Sequence, residues 1–82
     1  MLQVMPPRAK AARPPEAVRF GAFVRKRRLA KGWTQEQLAE AAGMNELQIG
    51  HIERGASDPK LTTILKLCAA LRIRPGSLLD KL

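Results

Sequence analysis

Apolar positions along this chain recur at the three- and four-residue spacing of helices, and no useful length alternates with the period of a strand. Gly32, Gly43 and Gly55, followed by Pro59 and Pro75, divide the chain beyond residue 20 into segments of helical length. The pattern predicts helices over about 18–31, from Thr34 to near Ala42, from Asn45 to about Arg54, over about 60–71, and a short fifth helix begun by Pro75. The predicted fold class is all-α.

Local sequence signals support these boundaries. Thr34 is followed three residues later by Gln37, and Asn45 by Gln48, which is the spacing of a capping box at a helix N-terminus. Gly43 can take the left-handed conformation that ends a helix. The inward face of the third helix is predicted to be Ile49 and Ile52, and that of the fourth to be Leu61, Ile64, Leu65, Cys68 and Leu71.

The N-terminal part differs in composition, because four of the six prolines (Pro6, Pro7, Pro14 and Pro15) lie before residue 18. Proline lacks an amide donor and disfavours helix at the residue before it. We therefore expect residues 1–18 to be a flexible, basic, proline-rich arm and residues 19–82 to be the folded domain. The arm would either lie along DNA or be a tail without a role.

Length and composition exclude several classes of protein. Eighty-two residues suit one domain, and a single Cys with a single His excludes an internal disulfide and a tetrahedral Cys/His zinc site. No apolar run approaches the roughly 18 residues of a membrane span, and the first residues lack the apolar stretch of a signal peptide. We expect a cytoplasmic protein with no metal and no cofactor. Cys68 is expected in the core, and Ser57 and Ser77 have no base near them in sequence, so no enzyme is predicted.

The net charge of +8 is concentrated in one part of the chain. Residues 32–82 balance six basic against six acidic side chains, whereas residues 1–31 carry Glu16 against nine basic ones: Arg8, Lys10, Arg13, Arg19, Arg25, Lys26, Arg27, Arg28 and Lys31. Such asymmetry is typical of proteins that bind nucleic acid or an anionic surface, although a solubilising face is the alternative. The scarcity of aromatic residues disfavours a surface that stacks on unpaired bases.

A longer pattern carries a family resemblance. The residues are Phe20-Gly21-x-x-Val24-Arg25-x-x-Arg28, then Gly32-Trp33-Thr34-Gln35-x-x-Leu38-Ala39, then Gly43, Ile49, Ile52-Glu53-Arg54-Gly55, Pro59 and Leu71. This arrangement resembles the Cro/phage-repressor (XRE-type) helix-turn-helix family over roughly residues 20–82. The resemblance implies a compact five-helix bundle of the lambda-repressor-like type, in which the third helix enters the major groove of DNA.

The resemblance also implies roles for individual residues. Gln35 matches a residue that binds a phosphate and braces the recognition helix, and Arg28 and Glu53 match a structural ion pair. Arg25 and Arg54 are expected to contact phosphates. The groove-facing positions are expected to be Asn45, Glu46, Leu47, Gln48, Gly50 and His51. Asn45 or Gln48 can pair with adenine, Glu46 can accept from cytosine, Leu47 can touch a thymine methyl, and His51 can donate to a purine or a phosphate.

The function implied is that of a sequence-specific transcriptional regulator of double-stranded DNA, in particular a repressor that acts as a homodimer on a palindrome. The dimer surface is expected at Ile73, Leu78, Leu79 and Leu82, unless these residues only complete the core. Two alternatives share this fold: an antitoxin that binds a toxin protein and regulates its own promoter, and a controller protein of a restriction–modification system.

Overall fold

The computed structural model describes residues 14–82, which form five α-helices and no strand. The helices are α1 (Pro15–Ala30), α2 (Gln35–Ala42), α3 (Glu46–Glu53), α4 (Leu61–Leu71) and α5 (Pro75–Leu79). The all-α five-helix prediction is confirmed. Most of the predicted N-terminal arm lies outside the described residues.

The first helix begins earlier than the sequence pattern predicts. Pro15 is its first residue, Pro14 is the residue before it, and the amide of Val18 donates to the Pro14 carbonyl at 3.1 Å. Proline is tolerated in the first turn, where its missing N–H has no intrahelical partner and its fixed φ already suits a helix. The predicted start of the first helix, about residue 18, was therefore wrong: the helix begins at Pro15, and Ala17 is buried.

The helix ends in the middle of the chain follow the predicted chemistry. Thr34 and Gln37 form a reciprocal capping box at α2, and Asn45 and Gln48 form one at α3. Gly43 ends α2 with φ 68°, in the left-handed region that glycine occupies without steric cost. Three residues, Gly43 to Asn45, thus separate α2 from α3, and local hydrogen bonds hold the ends of both helices at this turn.

All five helices contribute apolar side chains to one core, and α3 does so only from its inner face. Its buried members are Phe20, Val24, Leu38, Ala39, Ala42, Ile49, Ile52, Leu67, Cys68, Leu71 and Leu78. α3 packs against α1 and α2, while α4 packs against α2, α1 and α5. Only the inward residues of α3, among them Ile49 and Ile52, enter this core, so its other side is left to solvent.

The buried face of α4 differs from the predicted one. Leu67, Cys68 and Leu71 are buried and Ile64 is partly buried, whereas Leu61 and Leu65 are 69% and 44% exposed. The true stripe is centred on Ile64, Leu67, Cys68 and Leu71, which have the i, i+3, i+4, i+7 spacing of one helix face. Nearly every side of α4 carries an apolar residue, so the sequence alone does not distinguish this stripe from its neighbour.

α1 and α3 approach each other at a glycine. A Cβ at Gly21 would overlap the carbonyl oxygen of Ile52 and lie 2.9 Å from that of Glu53. The backbone of α1 therefore rests directly on the last turn of α3. This contact positions the third helix with little freedom to tilt.

Candidate nucleic-acid interface

The outward face of α3 presents a row of polar and apolar side chains to solvent. Asn45, Glu46, Leu47, Gln48 and His51 are all exposed, and Leu47 is 70% exposed. Leu47, the second residue of α3, is not part of the core. The inner face of α3 is packed against the rest of the fold, and its outer face is accessible to a ligand.

The capping box at the start of α3 occupies two of the predicted base-reading residues. The side-chain oxygen of Asn45 accepts from the Gln48 amide at 2.8 Å, and the side-chain oxygen of Gln48 accepts from the Asn45 amide at 3.1 Å. A bidentate contact to adenine uses the same amide oxygen as acceptor. Adenine pairing by either residue therefore competes with the cap, while Glu46, Leu47 and His51 take no part in it.

Behind this face, the carboxylate of Glu53 connects three parts of the chain. Arg28 on α1 donates from Nε to Oε2 at 2.7 Å and from Nη2 to Oε1 at 3.0 Å, which is a bidentate, charge-assisted pair. Gln35 on α2 donates from Nε2 to Oε1 at 3.1 Å. The structure thus contains the ion pair that the resemblance implied, and it adds Gln35 as a third member.

Arg28 has a further partner that the sequence gives no sign of. Its Nη1 donates to the carbonyl oxygen of Trp33 at 2.7 Å, so the guanidinium also holds the turn between α1 and α2. Arg28 and Glu53 are both buried, and the hydrogen bond to Glu53 raises the pKa of Arg28 above its already high usual value. The Arg28 guanidinium is therefore charged wherever an ordinary arginine is charged.

Gly50 was predicted to face the groove, but it does not face outward. It is buried, and a Cβ there would lie 3.1 Å from Nη1 of Arg54 and 3.6 Å from Oε1 of Gln35. The glycine leaves room for the guanidinium of Arg54 and the amide of Gln35, two of the predicted phosphate ligands. These residues and Glu46 and Leu47 line one open cavity of about 250 Å³ on the surface of α3.

The third predicted phosphate ligand, Arg25, is exposed on α1. It lies one turn beyond Gly21, on the flank of α1 that meets α3.

Lys60, which sequence reasoning did not single out, shares a cavity of about 310 Å³ with Gln48 and His51. Its position just before α4 is the only signal that could have indicated it, because the basic residues of 32–82 are scattered and balanced by acids.

The predicted dimer residues fall into two groups. Leu78 is 1% exposed and belongs to the core of its own chain, so for this residue the alternative, completion of the core, holds. Leu79 is 62% exposed, and Ile73 and Leu82 are partly buried against the core. The alternation arises because α5 packs one side on the bundle, and neighbouring residues of a helix point in different directions.

Residues 14–82 contain no group of three or more His, Cys, Asp or Glu side chains placed to hold a metal ion. None of the helices in this part of the chain combines the length and apolar character needed to cross a membrane.

A short helix held on its inner side and free on its outer side, preceded by a second helix and a glycine turn, defines a helix-turn-helix protein. The chain belongs to the helix-turn-helix family, whose model matches residues 24–78.

Relatives include two controller proteins. The restriction-modification controller protein C.AhdI from Aeromonas hydrophila is 42% identical; the match covers 79% of this chain and 98% of that one, with a TM-score of 0.75. The control protein C.BamHI from Bacillus amyloliquefaciens is 40% identical over 62 residues, which are 74% of this chain and 76% of that protein.

A third relative is a longer protein. The HTH-type transcriptional regulator SutR from Escherichia coli K12 is 37% identical over 46 residues, 56% of this chain. The aligned part spans only about a quarter (26%) of SutR's length.

Proposed function

We propose that this protein is a transcriptional regulator that binds double-stranded DNA through α3. The observation that carries the proposal is the exposed outer face of a helix whose inner face is locked to α1 and α2 by Glu53. An α-helix fits the major groove, where each base pair presents a distinct set of donors, acceptors and methyl groups. A DNA ligand also agrees with the expectation of a cytoplasmic protein, and it implies association with the nucleoid.

Within this surface, base reading is assigned mainly to Glu46, Leu47 and His51, since these exposed side chains are not used by the cap. Asn45 and Gln48 primarily fix the start of the helix. Phosphate contacts are assigned to Gln35, Arg25 and Arg54. The basic arm contributes sequence-independent attraction to the phosphates, because specificity and charge are carried by different parts of the chain.

The protein is further proposed to act as a homodimer and a repressor, through the exposed apolar side chain of Leu79 together with Ile73 and Leu82. Two copies related by a twofold axis would place their α3 helices about 34 Å apart, one turn of the duplex. The expected target is therefore a palindrome whose half-sites are separated by one helical turn.

Selection of binding sites from random duplexes, followed by salt titration on the winning sequence, tests the proposal. We expect an enriched palindrome and a log K that falls linearly with log salt. Glu46→Ala should change the preferred base at one position of each half-site, whereas Arg25→Ala should weaken binding to every sequence alike. Absence of an enriched palindrome, or equal loss on all sequences for both variants, would contradict it.

A second assignment concerns the target promoter. The match to C.AhdI over 98% of that protein's length favours a controller of a restriction–modification system over other regulators. We expect the protein to bind upstream of a neighbouring restriction gene and to change reporter expression from that promoter. Co-purification of a neighbouring toxin, with loss of toxicity, would instead support the antitoxin alternative.

A further inference from the structure

A second concave site lies on the other side of the molecule, where α1 meets the junction of α4 and α5. This basic cavity has a volume of about 340 Å³ and is lined by four cationic side chains, Arg27, Arg72, Arg74 and Lys81, together with the apolar side chains of Phe23 and Ile73. No acidic residue of the described part of the chain lines it. Four like charges are therefore gathered around one cavity without a counter-charge.

The backbone at Arg72 explains why a guanidinium lies at the end of α4. Arg72 has φ 58° and ψ 48°, and it is the one non-glycine residue with positive φ in residues 14–82. Its amide donates to the Ala69 carbonyl at 3.2 Å and the Ile73 amide donates to the Cys68 carbonyl at 2.8 Å, so Arg72 ends α4 in the left-handed conformation that glycine usually provides. The conformation is less favourable for a residue with a Cβ than for glycine. The side chain that it carries here is one of the four cations of the basic cavity.

The basic cavity does not belong to the proposed DNA interface. Gly21 marks the side of α1 that touches α3, and at 3.6 residues per turn Phe23 and Arg27 lie about 200° and 240° around the helix from it. The cavity is thus on the flank of α1 that points away from the recognition helix. A straight duplex in contact with Glu46, Leu47 and His51 does not reach it.

We propose that the basic cavity binds a small phosphate-bearing molecule. Guanidinium groups match phosphate oxygens with paired donors, and four cations can balance the charge of two or three phosphates. The cavity is open to solvent, its volume lies at the lower end of the range of small-ligand sites, and its concave shape suits a compact ligand better than a convex phosphodiester backbone. Phe23, whose ring centroid is 5.9 Å from Cζ of Arg27, offers an apolar surface for a base or another planar group.

The test is calorimetric titration of the full chain at about 150 mM salt, near physiological screening, first with inorganic tripolyphosphate and then with ATP and GTP. We expect binding of one ligand per chain. Tighter binding of the nucleotides assigns a role to Phe23, and equal binding assigns recognition to the phosphates alone; either result supports the proposal.

Two variants at Arg72 and one matched control make the test specific. Arg72→Asn keeps a residue that tolerates the left-handed conformation and removes the charge, so it should weaken tripolyphosphate binding at least tenfold. Arg72→Gly should weaken binding while raising the melting temperature, because it relieves the backbone strain. Lys66→Gln removes the same charge from an exposed position of α4 outside the basic cavity and should change binding less than twofold.

Several results would overturn the proposal. Absence of binding by all three phosphate probes, or equal weakening by Arg72→Asn and Lys66→Gln, would mean that only general attraction to a cationic chain is present. If a duplex without an operator displaces tripolyphosphate, and Arg72→Asn abolishes this competition, the basic cavity is assigned to DNA backbone. Stronger displacement by a hexaglutamate peptide would assign it to an acidic protein partner.

Discussion

At the scale of single residues, the Glu53 carboxylate does the most to join the helices. It accepts from Arg28 and Gln35, and Arg28 in turn donates to the Trp33 carbonyl. No side-chain polar atom buried in residues 14–82 is left without a partner. Because every member is satisfied, the network costs little as a whole, but removal of one member leaves a buried charge alone.

This network predicts a non-additive pattern in a double-mutant cycle. Arg28→Ala and Glu53→Ala should each lower the free energy of unfolding by about 3–5 kcal/mol. The double variant should lose clearly less than the sum, since neither charge is then stranded. Lys26→Ala, at an exposed neighbour on α1, should change stability by less than about 0.5 kcal/mol. Urea denaturation measures all four variants, and strict additivity would show that the pair is not coupled.

Cys68 predicts a pH dependence of stability. Burial raises the pKa of its thiol above the usual value, so the folded protein holds the proton more tightly than the unfolded chain does. This contribution is fully present below the unfolded pKa, near 9, and is lost as the pH rises through the higher folded value. Chemical denaturation between pH 7 and 10.5 should show a steeper alkaline loss for the natural chain than for Cys68→Ala. Parallel profiles would exclude the thiol as the cause.

At the scale of helices, the close approach of α1 to α3 depends on Gly21. Gly21→Ala places a methyl group against the Ile52 and Glu53 carbonyls, which cannot move without disturbing α3. We expect a loss of about 3 kcal/mol in the free energy of unfolding, at the upper end of overpacking effects. Gly76→Ala is the matched control, since nothing lies within 4 Å of its added Cβ. A thermal melt in which both variants behave alike would contradict the tight contact.

The helices also show which parts of the fold the sequence can predict. The capping boxes at Thr34 and Asn45 were predicted correctly because they depend on residues three apart in the chain. The start of α1 was missed because Pro15 was interpreted as a breaker, although proline suits a first turn. The exposed side of α4 was missed because Leu61 and Leu65 are as apolar as the residues that pack, and only tertiary contacts select between them.

The same distinction holds for the candidate site. The exposure of the outer residues of α3 and the Arg28–Glu53 pair could be predicted from the resemblance. The burial of Gly50, the Trp33 carbonyl as a partner and the core position of Leu78 depend on how distant segments meet. No spacing along the chain encodes those contacts.

At the scale of the whole molecule, the exposed Leu79 predicts self-association. Leu79→Glu places a charge at a side chain that is 62% exposed, so the monomer should keep its melting temperature within a few degrees. A dimer that buries Leu79 should dissociate, with at least a tenfold weaker dimer constant in sedimentation equilibrium and weaker binding to the full palindrome. Leu61→Glu, at another exposed leucine, is the control. An unchanged dimer constant for Leu79→Glu would place the interface elsewhere.

The two faces of α3 have a consequence for how this protein can evolve. Its inner residues are bound into the core and the Glu53 network, whereas Glu46, Leu47 and His51 are exposed and take no part in the core. Substitutions at these three positions should therefore accumulate with little penalty in fold stability. A lineage that carries this scaffold can acquire new DNA targets by changing a few side chains, while Glu53, Arg28 and Gly21 stay constrained by the architecture that supports them.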